Sequence, residues 1–453
     1  MILQTKDIEN IKKLNEEYKM FSVLTFHNPE NKNIENTKNT KLSKYTISLK
    51  DAIWLKDVES TASSKILRGF KPVKNSAVAD KIISNGGEII GKTVQDEFGF
   101  GTFSTNIGIG YDAPLNPSDK ERCAGGSSGG CAVAVKLIDN HISVAESTGG
   151  SITTPASFCG VVGLCPTYGR ISRDGLITYS SSLDKIGVMS KTVKESAEML
   201  EIISGKDVND ETSADKPIEK YSEFSDNPIE KIKGFKVGVL NPSGVDSNIS
   251  KRVKEIITKL SNNGVKTEEI DLPYMTKYAL SAYYIIAMSE ASTHLACLAG
   301  LRYGASKEIK KDEMYNEFFS AVRTDNFGNE AKRRILLGTF ARMSGYRGQY
   351  YMKALKVRKK IIDEYKEIFK KFDAIVTPTS PITAPKFSEI DNMSIKDIYN
   401  LDYLSVGPNI SGLPHISIPI QNEQELPYGI LFIADHFNES KLISLSSAVE
   451  VIR

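Results

Sequence analysis

Histidine and cysteine each occur five times in the 453 residues and tryptophan once, and these shortages narrow the chemistry available to the chain. The cysteines are Cys123, Cys131, Cys159, Cys165 and Cys297. Their odd number and the lack of any CxxC pair argue against a disulfide framework. A reducing, cytoplasmic location is the expectation. No HExxH, EF-hand pattern or His/Cys cluster is present, so no metal site is expected. No apolar run approaches the roughly 18 residues that a membrane-spanning helix needs. The N-terminal stretch MILQTKDIENIKKLNEEYKM is charged throughout and does not read as a signal peptide. A formal net charge of +2 argues against a surface dedicated to nucleic acid. The remaining composition, 40% hydrophobic and 25% charged, is that of a globular protein with ample material for a large core.

Small residues are concentrated in two loops, Gly125-Gly126-Ser127-Ser128-Gly129-Gly130 and Thr148-Gly149-Gly150-Ser151. Glycine runs let backbone approach a substrate closely and aim several N–H groups at one point, as an oxyanion hole requires. A serine in such a loop attacks a carbonyl if a neighbouring base removes its proton. None of His27, His141, His294, His415 and His436 lies in or beside either loop. Lysine can serve as the base when neutral. Lys50 closes the apolar stretch Tyr45–Leu49, which reads as a half-buried strand. A solvated lysine at a strand end is the ordinary alternative.

Lys50-Asp51, the Gly-Gly-Ser-Ser-Gly-Gly loop and Thr148-Gly-Gly-Ser-Ile152, with 24 positions from Ser127 to Ser151, resemble the amidase-signature family. The runs Phe158–Leu164, Pro166–Arg173, Ser181–Gly187, Lys332–Thr339 and Asn409–Pro414 are similar to the glutaminase (A) subunits of tRNA-dependent amidotransferases within it. The resemblance extends from about residue 40 to the C-terminus. It implies an α/β fold with a large mixed β-sheet covered by helices on both faces. It also implies Ser151 as the acyl nucleophile and Ser127, in a cis peptide, as its bridge to Lys50. The backbone of Thr148, Gly149, Gly150 and Ser151 then supplies the oxyanion hole. Arg334 clamps the glutamine α-carboxylate, with Arg333 as the alternative one register away. Asp402 pairs with the α-ammonium, and Tyr283 lines the pocket. The implied partners are B and C subunits. Misacylated tRNA is met mainly through the B subunit, which also uses ATP and Mg. This chain itself carries no cofactor.

Some positions depart from the family pattern. Ser147 stands where an aspartate is usual and Thr153 where an arginine is usual; Cys165 replaces a lysine and Ala124 a proline. If the missing Asp and Arg form a pair, losing both is cheaper than losing one. Two other readings stay open: a stand-alone amidase for another small amide, and an inactive assembly scaffold.

Alternating helix and strand signals support the α/β class. Residues 1–40 read as an N-terminal helical and loop segment, with an amphipathic helix at 6–20 and a polar loop at 28–41. Residues 41–453 read as one domain. Helices are expected at 75–85, 131–138, 250–262, 278–298 and 350–372, and strands at 88–91, 142–145, 235–240, 373–378 and 415–419. Residues 207–233 read as a connector. Two motifs mislead. Gly86–Thr93 fits GxxxxGK[ST], yet its Ile89-Ile90 strand lies inside the match, where a phosphate loop needs a strand before it. Gly126–Gly130 fits GxSxG, yet the polar Ser118–Arg122 precedes it in place of a buried strand.

Overall fold

The computed structural model describes residues 4–26, 40–108, 110–310, 312–422 and 424–453. Successive side chains along a strand point to opposite faces of a sheet, so a central strand with apolar residues in sequence feeds two cores. Val144 and Val188 enter one core, while the next residues, Ala145 and Met189, enter a second.

Eleven strands form a single sheet: β1 (Phe21–Leu24), β2 (Thr46–Lys50), β3 (Glu88–Thr93), β4 (His141–Ser147), β5 (Val162–Cys165), β6 (Lys185–Ser190), β7 (Lys236–Leu240), β8 (Lys266–Ile270), β9 (Ala374–Pro378), β10 (His415–Pro419) and β11 (Gly429–Ile433). Their order is β1-β3-β2-β4-β6-β5-β10-β11-β9-β7-β8. The β3-β2-β4 and β9-β7-β8 sets are parallel, and the remaining pairings are antiparallel. Helices Gly129–Leu137 and Thr153–Cys159 cover one face. Helices Ala77–Ser84, Val193–Ile203, Ser247–Asn262 and Glu439–Ile452 contribute to the core on the other. This is the mixed α/β architecture expected.

The parallel register of β2 and β4 pairs Leu49 with Val144, so both strands end on the same side of the sheet. Lys50 is the last residue of β2, and the Thr148–Ser151 loop leaves β4 directly. Crevices at the carboxyl ends of parallel strands are the usual ligand sites of α/β sheets. The long helix Pro273–His294 packs against Asn329–Arg342 and Tyr351–Phe369, bringing Tyr283 and Arg334 to that neighbourhood.

Differences from the sequence expectations have local causes. Phe21–Leu24 forms a strand paired antiparallel with β3, too short to give a periodic signal. Ile11 and Met20 of the same N-terminal segment pack in the core beneath helix Gly129–Leu137. The helix expected from residue 278 begins at Pro273, proline being well suited to a first helical position. The polar segment at 28–41 lies almost wholly outside the described residues. β3 runs through the GxxxxGK[ST] match, and Lys92 is buried 3.6 Å from Asp51, so these residues build a strand and no phosphate cradle. Among the described residues, no helix is long and apolar enough to cross a membrane.

Candidate active site

Every residue of β2 is buried, because neighbours flank it on both sides and helices lie over both faces. Lys50 is therefore completely removed from solvent. An ammonium there needs partners for its protons, since an unpaired buried charge is costly. Lys50 Nζ donates to Ser127 Oγ at 2.7 Å, to the Glu146 carbonyl at 2.9 Å and to Glu146 Oε2 at 2.9 Å. The solvated-lysine alternative does not hold.

Ser127 follows a cis Gly126–Ser127 peptide bond and immediately precedes helix Gly129–Leu137. Only glycine fits at Gly126, where a Cβ would lie 2.2 Å from Asp96 Oδ2. The Ser128 hydroxyl turns to the Glu146 carbonyl at 3.2 Å. His141 lies between Thr46 and Ser48, and burial pushes its pKa down to about 3. His415 bonds the Leu413 carbonyl and His436 that of Ser411. A histidine-dependent Ser128 nucleophile finds no support in these bonds.

Ser151 sits in the turn between β4 and helix Thr153–Cys159, and its hydroxyl makes no hydrogen bond with another described residue. The amides of Gly149, Gly150 and Ser151 also donate to no described residue, leaving unspent N–H groups beside that hydroxyl. Asn409 fixes the loop by donating to the carbonyls of Thr148 and Leu183. Tyr283 lies over Gly149, where a Cβ would be 2.8 Å from its hydroxyl oxygen.

Arg334 and Arg333 separate cleanly. Arg334 is 3% exposed; its Nε donates to Glu330 at 2.8 Å and its Nη1 to the Tyr179 hydroxyl. Its guanidinium lies 4.9 to 5.7 Å from the ring centres of Phe100, Tyr179, Tyr284 and Tyr399. Arg333 is partly exposed and pairs with the other carboxylate oxygen of Glu330. Asp402 is buried and accepts hydrogen bonds from Tyr284 at 2.7 Å and Thr102 at 3.2 Å. Burial raises its pKa to about 6, against the pull of those bonds and of Arg334. Phe100, Thr102, Glu330, Arg334 and Tyr399 line a cavity of about 300 Å³.

Sequence reasoning missed Glu146, Tyr179, Tyr284, Glu330 and Asp184. Glu146 did leave a signal: it is the single charge in the buried strand His141–Ser147. Asp184 lies inside the Ser181–Gly187 run that carries the resemblance; Tyr179, Tyr284 and Glu330 come together from distant segments and leave none.

Where the family's Asp and Arg are absent, hydroxyls bond the loop. Ser147 Oγ donates to the Gly149 carbonyl at 2.9 Å and Thr153 Oγ1 to that of Gly150 at 3.5 Å, both fully enclosed. Both positions are closed to water, so a single added charge is costly unless a neighbour pairs with it. Thr153→Arg or Ser147→Asp alone is expected to lower activity about tenfold or more, and the double change to recover part of it. Equal losses in single and double variants, measured as amide hydrolysis, rule out the pairing.

A family model for amidases matches residues 5–443. The chain is 42% identical to the A subunit of the glutamyl-tRNA(Gln) amidotransferase of Clostridium botulinum, over 90% of this chain and 83% of that one. The same identity holds for the A subunit of the Koribacter versatilis amidotransferase, over 90% and 84%. The crystal structure of the Thermotoga maritima A subunit superposes with a TM-score of 0.79 at 33% identity, covering 98% of this chain and 90% of that one. A 6-aminohexanoate cyclic dimer hydrolase shares the fold alone, with a TM-score of 0.83 at 20% identity, covering 99% and 92%. With its glycine loops, its buried lysine and these relatives, the chain belongs to the amidase-signature family.

Proposed function

We propose that this chain is the glutaminase subunit of a tRNA-dependent amidotransferase, hydrolysing glutamine to supply ammonia for converting Glu-tRNA(Gln), Asp-tRNA(Asn) or both. The observation that carries the reading is the buried Lys50–Ser127 contact, together with a pocket lined by Arg334, whose neighbour Tyr284 bonds the buried Asp402. An amino acid carries opposite charges on its α-carbon, and such a pocket can hold both ends while its side-chain amide faces the serine loops. A small-amide hydrolase has no need of that charge pair.

The chemistry follows from the donors present. Ser151 Oγ attacks the carboxamide carbon of glutamine. Its proton passes to Ser127, whose own proton passes to Lys50. The negative oxygen of the tetrahedral intermediate is held by the loop amides of residues 148–151, which are fixed before the reaction begins. On collapse of the intermediate the carbon–nitrogen bond breaks, and the proton returns from Lys50 through Ser127 to the departing ammonia. Water then attacks the glutamyl ester, the same relay takes its proton and returns it to Ser151 Oγ as the ester bond breaks, and glutamate leaves.

In this reading the ammonia is used by a B subunit, which activates the misacylated tRNA with ATP and Mg, and a C subunit braces the assembly. The complex works in the cytoplasm. Ammonia release from glutamine by the chain assembled with candidate B and C subunits tests the reading. Glutamine-selective release supports it; broad amide hydrolysis favours a stand-alone amidase, and silence of the assembled complex favours a scaffold.

A pH dependence follows from Asp402. Its pKa of about 6 lies above that of an ordinary aspartate, so the charge that binds the α-ammonium is lost as pH falls through 6. kcat/KM for glutamine should drop by about tenfold per pH unit below that point, mainly through KM. Asp402→Asn removes this step and weakens glutamine binding by on the order of 2 kcal/mol. An unchanged KM in that variant would exclude the ammonium contact.

A further inference from the structure

Glu146 is 3% exposed, in a strand whose other residues are uncharged at neutral pH, and its side chain contacts Lys50. Oε2 accepts a hydrogen bond from Lys50 Nζ at 2.9 Å, and Oε1 accepts one from Thr148 Oγ1 at 2.8 Å. The same Thr148 hydroxyl lies 2.8 Å from Asp184 Oδ1. A hydroxyl has one proton to give, so it cannot donate to both carboxylates at once. Burial, and then the charge of Glu146, holds Asp184 well above the usual carboxylate range. Thr148 therefore gives its proton to one carboxylate at a time, while Asp184 is also held by the backbone N–H groups of Tyr179 and Ser180 at 2.9 to 3.0 Å. The result is a line of hydrogen bonds from Asp184 through Thr148 and Glu146 to Lys50 and Ser127.

We propose that Glu146 is a positioning residue for Lys50: its carboxylate holds the amine against Ser127 and stabilises the ammonium that Lys50 becomes on taking the serines' proton. This rests on the assignment of Lys50, Ser127 and Ser151 as the reacting set. Two opposed effects follow. The negative charge favours the ammonium form of Lys50 in the resting site, and it also favours the proton transfer that makes that ammonium. The other titratable groups facing the pair are Asp184 ahead of β6, Asp96 after β3, Cys131 on helix Gly129–Leu137 and Cys165 on β5. Arg173 faces Asp184, and Arg334 faces Asp96. None of them bonds the Lys50 amine, whose partners are Ser127 and Glu146 alone among the described residues.

The test is the pH dependence of Ser151 labelling by a serine-directed fluorophosphonate, together with kcat at saturating glutamine, in the assembled complex. Glu146→Gln is expected to move the acid limb of both profiles to lower pH by about 1 to 3 units and to lower the plateau by about tenfold or more. Glu146→Ser, which removes the charge without burying an amide, should give the same shift if the glutamine variant does not fold. A limb that stays at the wild-type pH in the folded variant overturns the proposal, even if the plateau falls. The outcome is separable from the glutaminase reading. A limb that shifts in labelling with no glutamine turnover in the parent supports Glu146 and sinks the glutaminase assignment; glutamine turnover with an unshifted limb does the reverse.

Discussion

Ser151→Ala is expected to abolish glutamine hydrolysis, with kcat falling by on the order of 10⁴ or more, the scale seen when a serine hydrolase loses its nucleophile. The same substitution leaves stability within about 0.5 kcal/mol, because a hydroxyl without partners contributes little. The Ser151 hydroxyl has no hydrogen bond to another described residue, and its neighbours are fixed independently of it: Asn409 pins Thr148, and Thr154 N–H bonds the Gly150 carbonyl at 2.8 Å. Activity and stability therefore separate at this position. Measuring ammonia release beside a urea midpoint checks both. Retained turnover in the alanine variant moves the nucleophile elsewhere in the loops, and a large loss of stability shows a structural role for the hydroxyl.

The second large effect is expected at Lys50, where activity and stability fall together. Lys50→Met keeps the length and apolar stem of the side chain but removes the amine that bridges Ser127 and Glu146. Turnover should drop about as far as in the Ser151 variant, since members of one relay act as a unit. Stability should also fall, by about 3–5 kcal/mol, because a buried ion pair broken on one side strands the other charge. The double variant Lys50→Met with Glu146→Gln should recover much of that stability, as no charge is left without a partner. It should recover none of the activity. A double variant no more stable than Lys50→Met alone, by urea unfolding, rules out an energetically significant Lys50–Glu146 pair.

The elements that the sequence disclosed share a local cause. Helices Gly129–Leu137 and Ser247–Asn262 and strands β4, β7, β9 and β10 carry their periodicity within one segment, and each lies within a few residues of its expected place. The glycine loops are legible for a similar reason: close packing at Gly126 and Gly149 excludes any side chain, so composition alone marks them. The Arg333 or Arg334 alternative shows the limit of such reasoning. Adjacent positions on a helix point about 100° apart, but which of them faces inward depends on what packs there. Phe100, Tyr179, Tyr284 and Tyr399 make that choice from four separate parts of the chain.

By itself, then, the sequence determined the fold class, the two serine loops and Lys50 as candidate base, because periodicity, glycine content and spacing are encoded in neighbouring residues. The tertiary structure alone decided what surrounds them: the pairing of Lys50 with Glu146, the bond from Thr148 to Asp184, and the inward face of the Arg334 helix. Those contacts join residues far apart in the chain and arise where β2 and β4 end side by side. Charge neutralisation in a buried site depends on which groups meet there, and that is settled only when the sheet closes.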